Sequence, residues 1–207
     1  MNCPDWSRDD PCSRGGPAKA AALLAYKSAM YVAGAGQAIT PSHCRDWHLK
    51  FFRSVVPLAY YAGNFRQIRP EMPCLNVEVR VNGCQGSPAQ NAQADVTQLF
   101  LWFNREWSTL AGMWPSLAPK KRAVFAAILI GGLVGRFVQI HPFVNGNGRL
   151  SRLLWAFALT SAGVDPQVRI RLRPTVHSYS QAMAAAMGGD FTPVRAMVYR
   201  HLSAHQT

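Results

Sequence analysis

The run His141-Pro142-Phe143-Val144-Asn145-Gly146-Asn147-Gly148-Arg149-Leu150-Ser151-Arg152 places one imidazole, two glycines, two amides and two arginines within twelve residues. Gly146 and Gly148 admit backbone conformations that residues with a Cβ resist, so successive N–H groups can turn inward as a nest for an anion. A helix starting near Gly148 or Arg149 adds its unpaired first-turn N–H groups and the positive end of its dipole at the same point. Arg149 and Arg152, three apart, project from one face of that first turn and can hold a polyphosphate between them. His141, with an ordinary pKa of about 6.5, is suited to taking the proton of an attacking hydroxyl. Asn145 and Asn147 carry side-chain carbonyls within reach of a metal ion or a phosphate oxygen. The chemistry these groups share is phosphoryl or nucleotidyl transfer, in which catalysis is mostly positioning and charge stabilisation.

The elements around this run explain how it is held. Residues 123–140 are almost wholly apolar and so are residues 150–162, which makes the run a polar bend between two buried helices. Gly131, Gly132 and Gly135 inside the first of these helices each cost about 1 kcal/mol relative to alanine, a cost that close packing of another helix would justify. Upstream, residues 17–34 read as a helix rich in alanine and leucine, ended by Gly34 and Gly36. Thr40-Pro41-Ser42 supplies a cap and a first-turn proline for a helix to about residue 57. His43 and His48 lie on it as structural or solvated side chains. Residues 94–110 carry Val96, Leu99, Phe100, Trp102, Phe103 and Trp107 at helical spacing toward the core, and Pro119-Lys120-Lys121-Arg122 is a solvated start to the central helix. Leu75, Val77, Val79 and Val81 alternate with polar residues and lead to Asn82-Gly83, the pattern of a β-hairpin. Residues 166–174 form a basic connector with strand character, followed by helices over 175–188 and 193–204. The fold class expected is mainly α, a bundle of about seven helices with one small hairpin: a flexible tail over residues 1–16 and a single domain over 17–207.

Composition sets outer limits. The chain has 207 residues, 49% of them hydrophobic, enough for one sizeable core. Only 15% are charged, yet the formal net charge is +12, which favours an acidic surface as a partner; nucleic acid is admitted by charge, with no reader motif to support it. The five cysteines, Cys3, Cys12, Cys44, Cys74 and Cys84, are odd in number and lack a C-x-x-C pair, so neither a disulfide framework nor a zinc site is expected. A reducing, cytoplasmic setting fits that count. Asp5, Asp9 and Asp10 stand where a secretory leader would be basic and then apolar. The longest uncharged apolar run, residues 123–135, is shorter than the roughly 20 residues of a membrane helix, and no membrane is expected.

The twelve-residue run resembles the signature of the Fic family, H-P-F-x-(D/E)-G-N-G-R-x-x-R, at every fixed position but the acidic one, which is Asn145. Trp47 to Phe52 and the segment Ala62-Gly63-Asn64-Phe65-Arg66 resemble the family's early helix and its Ala-Gly-x-aromatic-Arg stretch. Tyr179, Ala182, Met183, Gly189-Asp190 and Pro193 resemble its closing helices, so the likeness covers about residues 40–203. The resemblance implies a Fic-type helical bundle and a protein adenylyltransferase that moves AMP from ATP to a serine, threonine or tyrosine hydroxyl of a target protein. It makes His141 the general base, Pro142 and Phe143 structural, and Gly146, Asn147 and Gly148 the anion hole. Arg149 and Arg152 become the partners of the β and γ phosphates, and the acidic position becomes the ligand of a bridging Mg²⁺. Asn145 offers that ion one neutral oxygen without the charge a hard cation favours. Val77, Glu78, Val79, Arg80 and Val81 take the place of the family's flap, which holds an extended target segment by strand addition.

Relatives of the Doc type, which phosphorylate, have Ala-Asn-Lys-Arg where this chain has Gly-Asn-Gly-Arg, so AMP transfer is the expected direction and a Doc-like kinase the alternative. A further alternative is a Fic fold of low or no activity that binds nucleotide or a partner. The inhibitory pattern (S/T)-x-x-x-E-(G/N) is not met at Glu71, Glu78 or Glu106. The resemblance therefore implies either a separate antitoxin-like protein that inserts a glutamate opposite Arg152, or an enzyme kept slow by Asn145. Delivery into another cell as an effector is compatible with either.

Overall fold

The computed structural model describes residues 2–6, 17–166 and 177–204. Seven α-helices form among them: α1 (Pro17–Gly34), α2 (Pro41–Phe52), α3 (Ala92–Met113), α4 (Pro119–Ile140), α5 (Asn147–Ser161), α6 (His177–Met187) and α7 (Thr192–Ala204). The Thr40 hydroxyl accepts the His43 N–H at 3.2 Å and Pro41 opens the first turn, as the capping residues require. The helix ends at Phe52, short of residue 57: the N–H groups of Val55 and Val56 both turn back to the Phe52 carbonyl, and Pro57 disfavours a helical residue before it.

Helix α4 is the hub, with α3, α5, α6 and α7 packed around it. Ile130, Leu133 and Phe137 on it are fully buried, each contributing about 1.5–3 kcal/mol by leaving water. Its three glycines are contact points. A Cβ on Gly131 would lie 2.8 Å from the Arg195 Cα, and one on Gly135 would lie 2.5 Å from the Phe191 ring, both in the stretch that carries α7. A Cβ on Gly132 would lie 2.9 Å from Trp102 of α3. α4 has 22 residues, longer than the uncharged run within it and long and apolar enough to cross a membrane by length and composition, but 61% of its apolar window is buried within the bundle. Lys120 and Lys121 at its start are exposed, as expected. On α3, Val96, Leu99, Phe100 and Phe103 are buried, while Trp102 and Trp107 sit at the edge of the core.

The strand expected from residue 75 is much shorter. Leu75 belongs to a 3₁₀ turn (Pro73–Leu75) and is buried, whereas Val77 and Glu78 are exposed. Only Arg80–Val81 (β1) and Cys84–Gln85 (β2) pair, antiparallel, with Arg80 opposite Gln85. Asn82 and Gly83, at φ 50° and 79°, make the two-residue turn that such a hairpin favours. The outer edges of this sheet carry no further strand among the described residues.

Two expectations are corrected at the N-terminus. Cys3 and Cys74 form a disulfide across 71 positions; an odd cysteine count with no local spacing gave no sign of it, because the pairing depends on tertiary proximity alone. Residues 2–6 are no free tail, since Trp6 is only 3% exposed and stacks on Tyr61 with ring centroids 5.8 Å apart. The rest of the expected tail, residues 7–16, and the basic connector beyond Pro166 lie outside the described residues.

Candidate active site

The bend between α4 and α5 is closed by its own side chains. α4 ends on His141, which adopts the left-handed conformation (φ 52°, ψ 57°) while its N–H still reaches the Phe137 carbonyl at 3.1 Å. Phe143, fully buried, stacks on the His48 ring at 3.7 Å and meets Phe65 at 4.8 Å. Asn147 is 2% exposed, and its amide accepts the Phe143 N–H at 3.0 Å and donates to the Phe143 carbonyl at 2.8 Å. Its side chain is therefore spent on closing the bend and does not face a phosphate or metal, which corrects the role expected for it; only its backbone N–H remains for a ligand. Gly146 sits at φ 83°, where a Cβ would lie 2.4 Å from the Phe52 ring. We expect Gly146→Ala to cost about 2–5 kcal/mol from the left-handed backbone and the overpacking together, read as a lowered urea midpoint.

Arg66 joins the bend to the hairpin. This guanidinium is fully buried and donates to the carbonyls of His141 (2.8 Å), Val77 (2.9 Å), Ser87 (2.6 Å) and Ile140 (3.1 Å). Its own N–H donates to the Pro142 carbonyl at 2.7 Å. Burial lowers its pKa and the nearby Glu78 charge opposes that. Gly86, just past β2, lies so close that a Cβ there would be 3.1 Å from the His141 Cβ and 3.2 Å from the Ile140 carbonyl. The hairpin thus leaves the body of the protein beside the imidazole. The segment 62–66 was legible as a family feature, but no local pattern revealed what Arg66 binds.

The state of the buried His48 and the half-buried His141 follows from their partners. His141 Nδ1 faces the Val138 carbonyl at 3.2 Å, which can only accept, so Nδ1 carries the proton and Nε2 presents its lone pair as a base. Burial pushes its pKa down to about 4, the Arg66 charge adding to the effect and the Val138 bond opposing it. His48 Nδ1 accepts the Gly63 N–H at 3.0 Å, so its Nε2–H donates to the Asn145 carbonyl at 3.0 Å. Burial pushes its pKa down to about 3, with the Asn145 carbonyl opposing and the Arg149 charge adding. His48 is structural, as expected, and supports the bend directly.

Both folded pKa values lie below the ordinary 6.5, so the unfolded chain takes up protons first as the pH falls. The stability these neutral rings contribute is fully present well above pH 6.5 and is lost below it, toward pH 4 for His141 and pH 3 for His48, at about 1.4 kcal/mol per pH unit for each ring. Urea midpoints measured between pH 7 and 5 should fall steadily, and His48→Gln should flatten that slope. A slope unchanged in His48→Gln would refute the assignment.

Helix α5 begins at Asn147, where the N–H groups of Asn147 and Gly148 have no carbonyl a turn earlier in the helix. Gly148 is exposed, and a Cβ there would meet only the Arg152 Nη1, at 3.8 Å. Arg152 is 5% exposed and lies against Tyr179, its Nη1 3.5 Å from the hydroxyl. The Arg149 guanidinium lies over the Phe52 ring, 5.2 Å from its centroid. Arg149 thus stays against the Phe52 ring that also meets Gly146, and Arg152 stays against Tyr179 of α6. The Gly146 N–H, expected to point inward with its neighbours, is taken by the Asn145 Oδ1 at 2.7 Å.

Asn145 is held elsewhere as well, its Nδ2 donating to the Trp6 carbonyl at 2.7 Å. The residues present do not fit a Mg²⁺ ion. The one expected ligand is neutral and already accepts a hydrogen bond, and no group of three His, Cys, Asp or Glu that could hold a metal occurs among the described residues.

A helical bundle with this bend and hairpin defines a class, and comparison with known proteins agrees. The sequence model of the Fic/DOC family matches residues 38–159. The chain belongs to that family. It is similar to the protein adenylyltransferase Fic of Drosophila willistoni, 34% identical over 92 residues that make up 44% of this chain and 16% of the relative. It is also similar to the protein of the same name from Nematostella vectensis, 40% identical over 65 residues, 31% of this chain and 15% of the relative. The chain thus spans about a sixth of the length of these curated relatives. In fold it is similar to a Fic domain containing signaling protein from Bacteroides thetaiotaomicron VPI-5482, with a TM-score of 0.62 at 20% identity over 90% of this chain and 69% of the other.

Proposed function

We propose that the protein is an adenylyltransferase that moves AMP from ATP to a serine, threonine or tyrosine hydroxyl of a target protein. The observation that carries the proposal is the His141 tautomer, with its Nε2 lone pair left free on the bend that leads into α5, whose first turn carries Arg149 and Arg152. In this reading Nε2 takes the hydroxyl proton, the oxygen attacks the α-phosphorus, and pyrophosphate leaves. The N–H groups of Asn147 and Gly148 and the two arginines carry the phosphate charge, a preorganised set of donors of the kind that contributes most to such catalysis. No step is assigned to a metal. The segment Val77, Glu78, Val79, Arg80 and Val81, exposed at Val77, Glu78 and Arg80 and half-buried at Val79 and Val81, is anchored by Arg66, which also holds the His141 carbonyl, and supports docking of a target backbone along the hairpin edge. The relatives named as adenylyltransferases support ATP as the nucleotide.

The test is transfer of label from ATP, marked at either the α or the γ phosphate, to proteins of a lysate. α-label in protein supports AMP transfer; γ-label alone would overturn it in favour of a kinase. Neither label in protein would favour the second reading, a fold that binds nucleotide without turnover, which the engaged amide of Asn145 motivates. Gly148→Ala separates binding from folding. Nothing nearby clashes with its Cβ, so the thermal midpoint should hold, while the methyl group enters the space a phosphate would occupy and ATP affinity should drop about tenfold, or about 1.4 kcal/mol.

A further inference from the structure

Asn145 has three bonded groups, and two of them tie the bend to other parts of the chain. Its Oδ1 takes the Gly146 N–H at 2.7 Å, its carbonyl takes the His48 Nε2–H at 3.0 Å, and its Nδ2 donates to the Trp6 carbonyl at 2.7 Å. A carboxylate at this position could keep the first two bonds but not the third, because it has no hydrogen to donate and would set two acceptors against each other. The amide is therefore what this geometry requires. On the far side of the contact, Trp6 stacks on Tyr61 and meets the rings of Phe52 and His48 edge-on at 5.2 and 5.9 Å. Phe52 is also the ring under Arg149 and against Gly146.

The segment that carries Trp6 is short, and the disulfide at Cys3 ties it to Cys74, at the foot of the hairpin. A cavity of about 460 Å³ lies between them, lined in part by Pro4, Trp6, Tyr61, Val77 and Asn145, so the segment is not packed on every side. The Trp6 indole N–H is buried with no hydrogen-bond partner among the described residues, a desolvation cost that works against seating the ring. Once the covalent tether is gone, the ring contacts, the Asn145 bond to the Trp6 carbonyl and the Tyr61 hydroxyl bond to the Pro4 carbonyl must offset that cost and the regained freedom of the segment.

We propose that Asn145 is a positioning residue that fastens the phosphate-facing bend to the segment Cys3 to Trp6, and that the Cys3–Cys74 disulfide controls this fastening. A dithiol reductant supplies the two electrons and two protons of the opening step: the S–S bond breaks, Cys3 and Cys74 become thiols, and the dithiol closes to its own disulfide. Trp6 then leaves its seat, Asn145 loses its acceptor, and the Gly146 N–H it holds is released to exchange. The bend is tight where disulfides persist and loose under reducing conditions, which sets this chain apart from the cytoplasmic setting its cysteine count suggests. Weaker nucleotide binding in the reduced form is the functional consequence, and that part alone rests on the adenylyltransferase reading.

Hydrogen exchange over a peptide spanning residues 143–148, followed in the full chain with and without dithiothreitol, is the direct readout. Gly146 exchange is expected to speed up about tenfold on reduction. Cys3→Ser, at an exposed position, should show the fast rate without reductant, and Asn145→Ala should show it with no further response to dithiothreitol. Unchanged Gly146 exchange in protein whose Cys3 and Cys74 thiols are both shown by alkylation to be free would overturn the proposal. ATP affinity by calorimetry should fall about tenfold on reduction in parallel. A chain whose exchange responds but which binds no ATP in either form supports the fastening and counts against the nucleotide reading; one that binds ATP equally well in both forms, with exchange unchanged, refutes the fastening and leaves that reading intact.

Discussion

His141→Ala is expected to reduce transfer of α-label from ATP to protein by about 10²–10⁴-fold, the usual worth of a positioned general base. The imidazole is fixed for this task at three points. Its N–H caps α4 on the Phe137 carbonyl, its own carbonyl is gripped by Arg66, and its Nδ1 is turned onto Val138, leaving Nε2 as the basic atom. Burial keeps the ring neutral well below pH 7, so it is in the proton-accepting form throughout the physiological range. Because the residue lies at φ 52°, a variant that loses activity by distorting the bend has to be told apart from one that loses the base. His141→Asn does this, since asparagine adopts the left-handed region more readily than most residues. Both variants should lose transfer alike, with His141→Asn keeping the thermal midpoint within about 2 °C, a shift that corresponds to under 1 kcal/mol in a chain this size. Transfer that survives in either variant would remove His141 from the chemistry.

Arg66→Met is expected to destabilise the fold by about 3–5 kcal/mol, the range seen when one side of a buried charge network is removed. A methionine fills most of the space but donates nothing, so the carbonyls of His141, Val77, Ser87 and Ile140 lose a donor together. Those four carbonyls come from the end of α4 and the bend (Ile140, His141), from the segment before β1 (Val77) and from the segment after β2 (Ser87). Their loss should free the hairpin relative to His141 before the helices melt, seen as fast exchange over residues 76–87 in otherwise folded protein. Arg66→Lys should fall between, because three ammonium donors cannot reach four carbonyls in a fixed fork. A urea midpoint for Arg66→Met equal to wild type would show that this buried guanidinium is not the clamp described.

Sequence alone determined those features that neighbouring residues specify between themselves. The apolar periodicity placed the helices, Thr40-Pro41 opened α2, Asn82-Gly83 turned the hairpin, and the spacing of His141, Gly146, Gly148, Arg149 and Arg152 marked the candidate site, because each depends on residues within a turn or two of one another. Tertiary structure decided the rest. It turned the Asn145 amide onto Trp6, chose the proton position on His48, seated Trp6 under the bend and joined Cys3 to Cys74. An amide or an imidazole is oriented by whichever donor or acceptor lies within about 3 Å. For Asn145 and His48 those partners come from the N-terminus, the turn at Gly63 and the bend, which only folding brings together.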